Sequence, residues 1–295
     1  MRVTENGMAN QYLRNINSAR EQVTSLQSQI ASGKRVLKTS DDPHATGAIL
    51  QLNGAIEAND QYARSTGEAE SQLESSTASL QNLGDLLLNV KDLVVRAANG
   101  ANVDSRSVFA VSIDAYLGEA MDIANTKFGG KYIFGGTNTL QQPFELATDR
   151  SAVTANPNGI DGTIEYPIRD GLTQASNISG QEAFQGTAVF DLLIRFRNDL
   201  TNGQAPASAD MAQLDQLMEH VLTVTSKAGS YLQTAQANDT FLASQKTQLM
   251  SLLSMQQDAD IATSVTDMQR SQTLLDAALN TTARILPKSL LDFLK

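Results

Sequence analysis

The run Gly129-Gly130-Lys131-Tyr132-Ile133-Phe134-Gly135-Gly136 is the segment of this chain that most resembles a piece of chemistry. A glycine-rich loop cradles phosphate on its backbone N–H groups when it follows a strand and opens a helix. Here the order is reversed. The glycines follow a helical pattern and lead into Tyr-Ile-Phe, and Lys131 stands outside Walker spacing. The run reads as a strand flanked by turns. Asp41-Asp42 and the pair Asp258 and Asp260 could serve acid–base catalysis or a hard cation. Neither pair sits in a calcium-loop spacing. Asp42 before Pro43 has the form of a helix N-cap followed by its first residue, where a carboxylate accepts orphan N–H groups and proline loses nothing. Asp258-Ala259-Asp260 reads as a solvated break between helices. His44 and His220, the two histidines, stand alone as surface or packing residues. The Asn-x-Ser/Thr matches at Asn177, Asn238 and Asn280 are short enough to occur by chance, and the last two fall on expected helices.

Composition closes further doors. The 295 residues include no Cys and no Trp, which removes disulfides, thiol nucleophiles and cysteine-bound metals. No catalytic, cofactor-binding or metal-binding residues are expected. The formal charge is −10, so the basic footprint of a nucleic-acid binder is missing. No apolar run approaches the roughly 18 residues of a membrane span. The N-terminus lacks the basic and apolar regions of a cleaved signal peptide, which taken alone suggests a cytosolic protein.

The elements that would position any site divide the chain in three. Proline is absent from 1–42, 44–142 and 207–286, while glycine and aromatic residues crowd the span from Phe128 to Phe196. Two helical arms therefore flank a middle that reads as strands and turns. In the first arm Ala9, Tyr12, Ile16, Ala19, Val23, Leu26 and Ile30 alternate steps of 3 and 4, the spacing of a coiled-coil seam. The seam is thin and calls for a partner. Gly33 suits the end of that helix. A second helix is expected from Pro43 to about Asn99, about 85 Å of rod at 1.5 Å per residue, with a polar stretch from Asn59 to Glu70. A third fits Ser105 to Lys127.

In the second arm Val224, Ala228, Tyr231, Ala235, Leu242, Leu249 and Leu252 share one heptad frame, broken by polar Asn238 and Gln245. A new frame runs Ile261, Val265, Met268, Leu275, Leu279 and Leu286, and the chain closes on an apolar hook containing Leu290, Leu291 and Phe293. Packing the two arms against each other, antiparallel, buries both stripes. The expected fold is mainly α: an elongated antiparallel helical rod or coiled coil with a small β-rich domain inserted in the middle.

Ser32-Gly33-Lys34-Arg35-Val36 with Ser40-Asp41-Asp42-Pro43 resembles the end of the first helix in the flagellin superfamily. The run from Asp258 through Ala277-Ala278-Leu279 to Leu294 is similar to that superfamily's terminal helix. Ile123-Ala124-Asn125-Thr126, Gly130 to Gly136 and Pro143-Phe144 lean toward its hook-associated members at the junction between hook and filament, and away from filament flagellin. The resemblance covers roughly 1–144 and 225–295. It implies a structural protein without catalysis, exported unfolded by the flagellar type III apparatus, which reverses the cytosolic expectation to an extracellular flagellum. It implies terminal helices 1–42 and 257–295 that serve assembly and export and are disordered in the monomer. A rod of 43–140 and 187–256 and an outer domain of 141–186 complete the expected layout. The implied partners are further copies of the chain in a ring or helical layer, a neighbouring hook-associated junction protein, flagellin and an export chaperone. The residues expected at these interfaces are Ile16, Val23, Leu26, Ile30, Ile261, Val265, Met268, Leu275, Leu279, Leu290, Leu291 and Phe293, with Asp42 and Pro43 as the cap. Filament flagellin and an intracellular coiled-coil scaffold are the alternatives.

Overall fold

The computed structural model describes residues 2–291. Seven α-helices follow in order: α1 (Arg2–Ser32), α2 (Pro43–Ala98), α3 (Arg106–Ala124), α4 (Gly180–Phe184), α5 (Ala188–Thr201), α6 (Ser208–Gln257) and α7 (Ile261–Leu291). Six short strands lie between α3 and α4: β1 (Lys127–Phe128), β2 (Lys131–Tyr132), β3 (Phe144–Leu146), β4 (Val153–Ala155), β5 (Glu165–Arg169) and β6 (Leu172–Ala175). Each pairs antiparallel with its sequence neighbour, giving three separate two-stranded hairpins. The fold is mainly helical with a small β insertion. Helix α4 lies within the middle that the sequence reads as strands and turns, and α5 lies in the 187–256 stretch expected in the helical rod. In α5 the run Val189-Phe190-Asp191-Leu192-Leu193-Ile194-Arg195-Phe196 is apolar enough for either a buried strand or a helix. Seven buried side chains spread around α5 settle it as a core helix.

The chain forms two compact units, residues 1–58 with 246–295 and residues 59–245. The second unit holds most of the buried apolar residues. There Leu80, Leu83, Leu87 and Val90 of α2 join Ile113 and Leu117 of α3, Phe190 and Phe196 of α5, and Leu214, Val221 and Val224 of α6 in one core. The hairpin region belongs to that same core through Phe134, Phe144, Val153 and Ile178. Rings of Phe134, Phe144, Phe184 and Phe190 meet at 5.1–5.3 Å between centroids, the spacing at which edge-to-face and offset pairs add to burial.

Polar residues align α2 with α6 inside this unit. Asn59 Nδ2 donates to Gln245 Oε1 at 3.0 Å, and Asn238 Nδ2 donates to Thr66 Oγ1 at 3.0 Å and to the Ile168 carbonyl at 3.1 Å. The polar breaks in the two heptad patterns therefore face each other, as an antiparallel pair requires. A buried polar pair fixes register, since a slip would strand each amide among apolar groups.

The glycine-rich run makes tight turns. Gly129 and Gly130, at φ of +56° and +80°, link β1 to β2, the left-handed pair favoured in two-residue hairpins. Gly136, at φ +58°, lies so close to Asp161 that a Cβ would sit 1.9 Å from its carbonyl oxygen.

Candidate functional site

In the first unit α1 and α7 pack against each other. Tyr12, Ile16, Ala19, Val23, Leu26 and Ile30 form the covered face of α1, with Ile16 and Val23 buried and the others half-buried. On α7 the covered positions are Ser264, Met268, Ser271, Leu275, Ala278 and Thr282. This face is rotated slightly from the apolar frame in the sequence. Val265 is half-buried like Met268 and Leu275, while Ile261 and Leu279 are exposed at 43% and 38%. Small Ser, Ala and Thr side chains let helices approach closely and bury little apolar area. The side chains of Leu290 and Leu291, and the whole of Phe293, lie outside the described residues.

Both turns that join these helices to the rest of the chain are built by capping. Gly33, at φ +70°, ends α1 with its N–H on the Gln29 carbonyl. Asp41 accepts the N–H groups of Leu37 and Lys38. Asp42 accepts the Ala45 N–H at 2.9 Å and pairs with Arg35 at 3.2 Å, with Pro43 as the first residue of α2. Asp260 accepts the N–H groups of Ala262 and Thr263 and the Thr263 hydroxyl, so it caps α7 in the same manner. Hydrogen bonds from the Ala45 N–H and Arg35 hold the Asp42 carboxyl below its usual range, and those from Thr263 do the same for Asp260. The two turns lie side by side. Lys34 and Asp258 form an antiparallel bridge, and Arg35 reaches the Gln256 carbonyl through its guanidinium and the Gln257 carbonyl through its N–H. Val36, Ala45 and Ile49 form a small apolar cluster with Leu253 beside them.

The residues with chemical promise are used structurally. His220 Nε2 lies 2.6 Å from the Glu182 carbonyl and His44 is exposed. Among the described residues no cluster of three His, Cys, Asp or Glu side chains gathers for a metal, and no helix is long and apolar enough to cross a membrane. One partly buried ionic group had no local signal in the sequence. Asp114 of α3 accepts from Arg150 in the β3–β4 turn and from Arg197 of α5. Partial burial pushes its carboxyl up, and the two guanidiniums outweigh that and hold it below the usual range.

The first unit is thinly cored and carries much exposed apolar surface. Among the described residues its buried apolar side chains are Ile16, Val23, Val36, Ala45 and Ile49, whereas Leu13, Leu50, Met250, Met255 and Leu274 are each more than half exposed.

Residues 3–139 match the pattern of the bacterial flagellin N-terminal helical region. The chain is 25% identical over 303 residues to flagellar hook-associated protein 3 of Escherichia coli, covering 94% of this chain and 95% of that one. It is 30% identical over 150 residues to flagellar hook-associated protein 3 of Salmonella typhimurium, half of this chain and 47% of that one. The solved structure of flagellar hook-associated protein 3 from Legionella pneumophila superposes with a TM-score of 0.61 at 16% identity, covering 70% of this chain and 98% of that chain. That likeness is one of fold.

Proposed function

We propose that this protein is a structural component of the bacterial flagellum and forms the junction between hook and filament, a reading supported by its likeness to flagellar hook-associated protein 3 over nearly the whole chain. The exposed apolar surface of the thinly cored first unit carries this reading. An extended helical pair that buries few of its own apolar groups is completed by neighbours. In a ring or helical layer each copy would present two different faces to the next. The neighbours are further copies of this chain, a second hook-associated junction protein on the hook side and flagellin on the filament side.

The same reading places residues 1–42 and 257–295 in assembly and export, 43–140 and 187–256 in a rod layer, and 141–186 on the outside. Export runs through the flagellar type III apparatus, and the finished protein lies outside the cell. The terminal helix from Ile261 to Leu294 is the segment a chaperone would hold beforehand, since its apolar residues need cover until assembly. Ile16, Val23, Leu26, Ile30, Ile261, Val265, Met268, Leu275, Leu279, Leu290, Leu291 and Phe293 are the contact residues of this reading. It assigns no catalytic step to the chain.

Deleting the gene in its motile host tests this. Electron micrographs are expected to show hooks without filaments and flagellin shed into the medium. Filaments still attached to hooks in the deletion strain would refute the junction role.

A further inference from the structure

We propose that the basic link between α1 and α2 of one copy docks into an acidic-rimmed apolar trough between α2 and α6 of a second copy. This rests on the junction reading, which places copies of the chain in one layer.

The trough has a volume of ≈ 420 Å³ in the second unit. Leu88 and Leu222 stand on its walls, 54% and 67% exposed. Its floor includes Gly84, where an added Cβ would meet nothing within 4 Å, so room for a further side chain is built in. Asp85 and Glu219 stand at the rim, both exposed, and no ion-pair partner is described for either. An exposed apolar trough with two unpaired carboxylates calls for an apolar side chain flanked by cations.

The chain supplies such a knob. Lys34-Arg35-Val36-Leu37-Lys38 holds three basic residues, and no other five-residue window of this chain does. Val36 is buried and Arg35 is engaged by Asp42 and Gln256, which anchors the link. Asp41 holds the backbone of Leu37 and Lys38 in place. Leu37, 40% exposed, lies in sequence between the exposed Lys34 and Lys38, which make no ion pair among the described residues. Arg20, Glu21 and Asp41 line one groove with Leu37 and Lys38; counted with Lys34, Arg35 and Asp42, four cations stand against three carboxylates, so the local sign stays positive. The rigid geometry lowers the ordering cost of docking.

Charge decides for a second copy. Two chains of charge −10 repel overall, so a contact between copies needs a local reversal of sign. Link and trough supply it. Because knob and socket are different surfaces, the contact is heterologous and propagates from copy to copy.

The absence of Cys gives a clean test by oxidative cross-linking in isolated flagella. The double variant Leu37→Cys with Leu222→Cys is expected to yield a ladder of dimers, trimers and larger species. The control pair Leu37→Cys with Val111→Cys, at an exposed position of α3, is expected to yield monomer. Charge reversal gives an independent reading: Lys38→Glu should lower the amount of chain retained in flagella, and adding Glu219→Lys should restore it. Variant chain present in flagella without a ladder, or with one equal to the control, overturns the contact and leaves the junction reading standing. Wild-type chain absent from flagella overturns both.

Discussion

Removing residues 261–295 deletes α7 and uncovers the seam of α1. The helices α1 to α7 hold 31, 56, 19, 5, 14, 50 and 31 residues. If only α7 were lost, molar ellipticity at 222 nm would fall by about 15%, the share of one 31-residue helix. A larger drop is expected. Without α7, α1 keeps no cover for Ile16 and Val23, and its Asn, Ser and Thr residues have weak helix propensity. A long helix in water needs strong propensity or a packed face, so α1 melts as well and the fall becomes about 30%. The second unit keeps its own core, including the phenylalanine cluster, so its cooperative thermal transition should remain. Circular dichroism of purified full-length and truncated chains measures both quantities. A fall of only about 15% would show that α1 stands alone. Loss of the cooperative transition would refute the independence of the second unit.

Phe144→Ala removes a fully buried ring from the aromatic cluster and should cost about 3–5 kcal/mol, read from urea unfolding; less than about 1 kcal/mol would contradict the core assignment. Asn238→Ala loses the hydrogen bonds to Thr66 and Ile168 and should cost about 2 kcal/mol, with Thr66→Ala adding little to it in a double-mutant cycle. The carboxyls of Asp42 and Asp260 titrate below the ordinary 3.8 in the folded chain. Their capping contributions are therefore present above that value and fade as pH falls through the lower folded values. Hydrogen-exchange protection of the Ala45 and Ala262 amides should drop in that acid window, and Asp42→Asn should blunt the change at Ala45; protection unchanged below pH 3 would contradict the capping role.

What the sequence disclosed was mostly local. The 3–4 spacing from Tyr12 to Ile30 matches the covered face of α1, and Asp42-Pro43 opens α2 as the capping rule requires. The polar gaps at Asn238 and Gln245 and the weak stretch beginning at Asn59 were visible separately. Only the fold shows that they pair. The covered face of α7 was harder to read because Ser264, Ser271 and Ala278 line it, and small residues leave no apolar signature in the pattern. Helix α5 falls in the stretch expected as rod, but its own period was not legible, because a short run with apolar residues on every side has none. The Asp114, Arg150 and Arg197 group joins residues 36 and 83 positions apart, a separation at which no spacing rule operates.

The central claim is one of place, and labelling tests it most directly. The turn at Asp170-Gly171 between β5 and β6 is exposed, with Gly171 at φ +68° and open space around it, so it accepts a short epitope tag. Immunogold electron microscopy of motile cells carrying the tagged chain should show a single band of label on each flagellum where hook meets filament. Label along the length of the filament, or cells whose flagella carry none, would contradict the account.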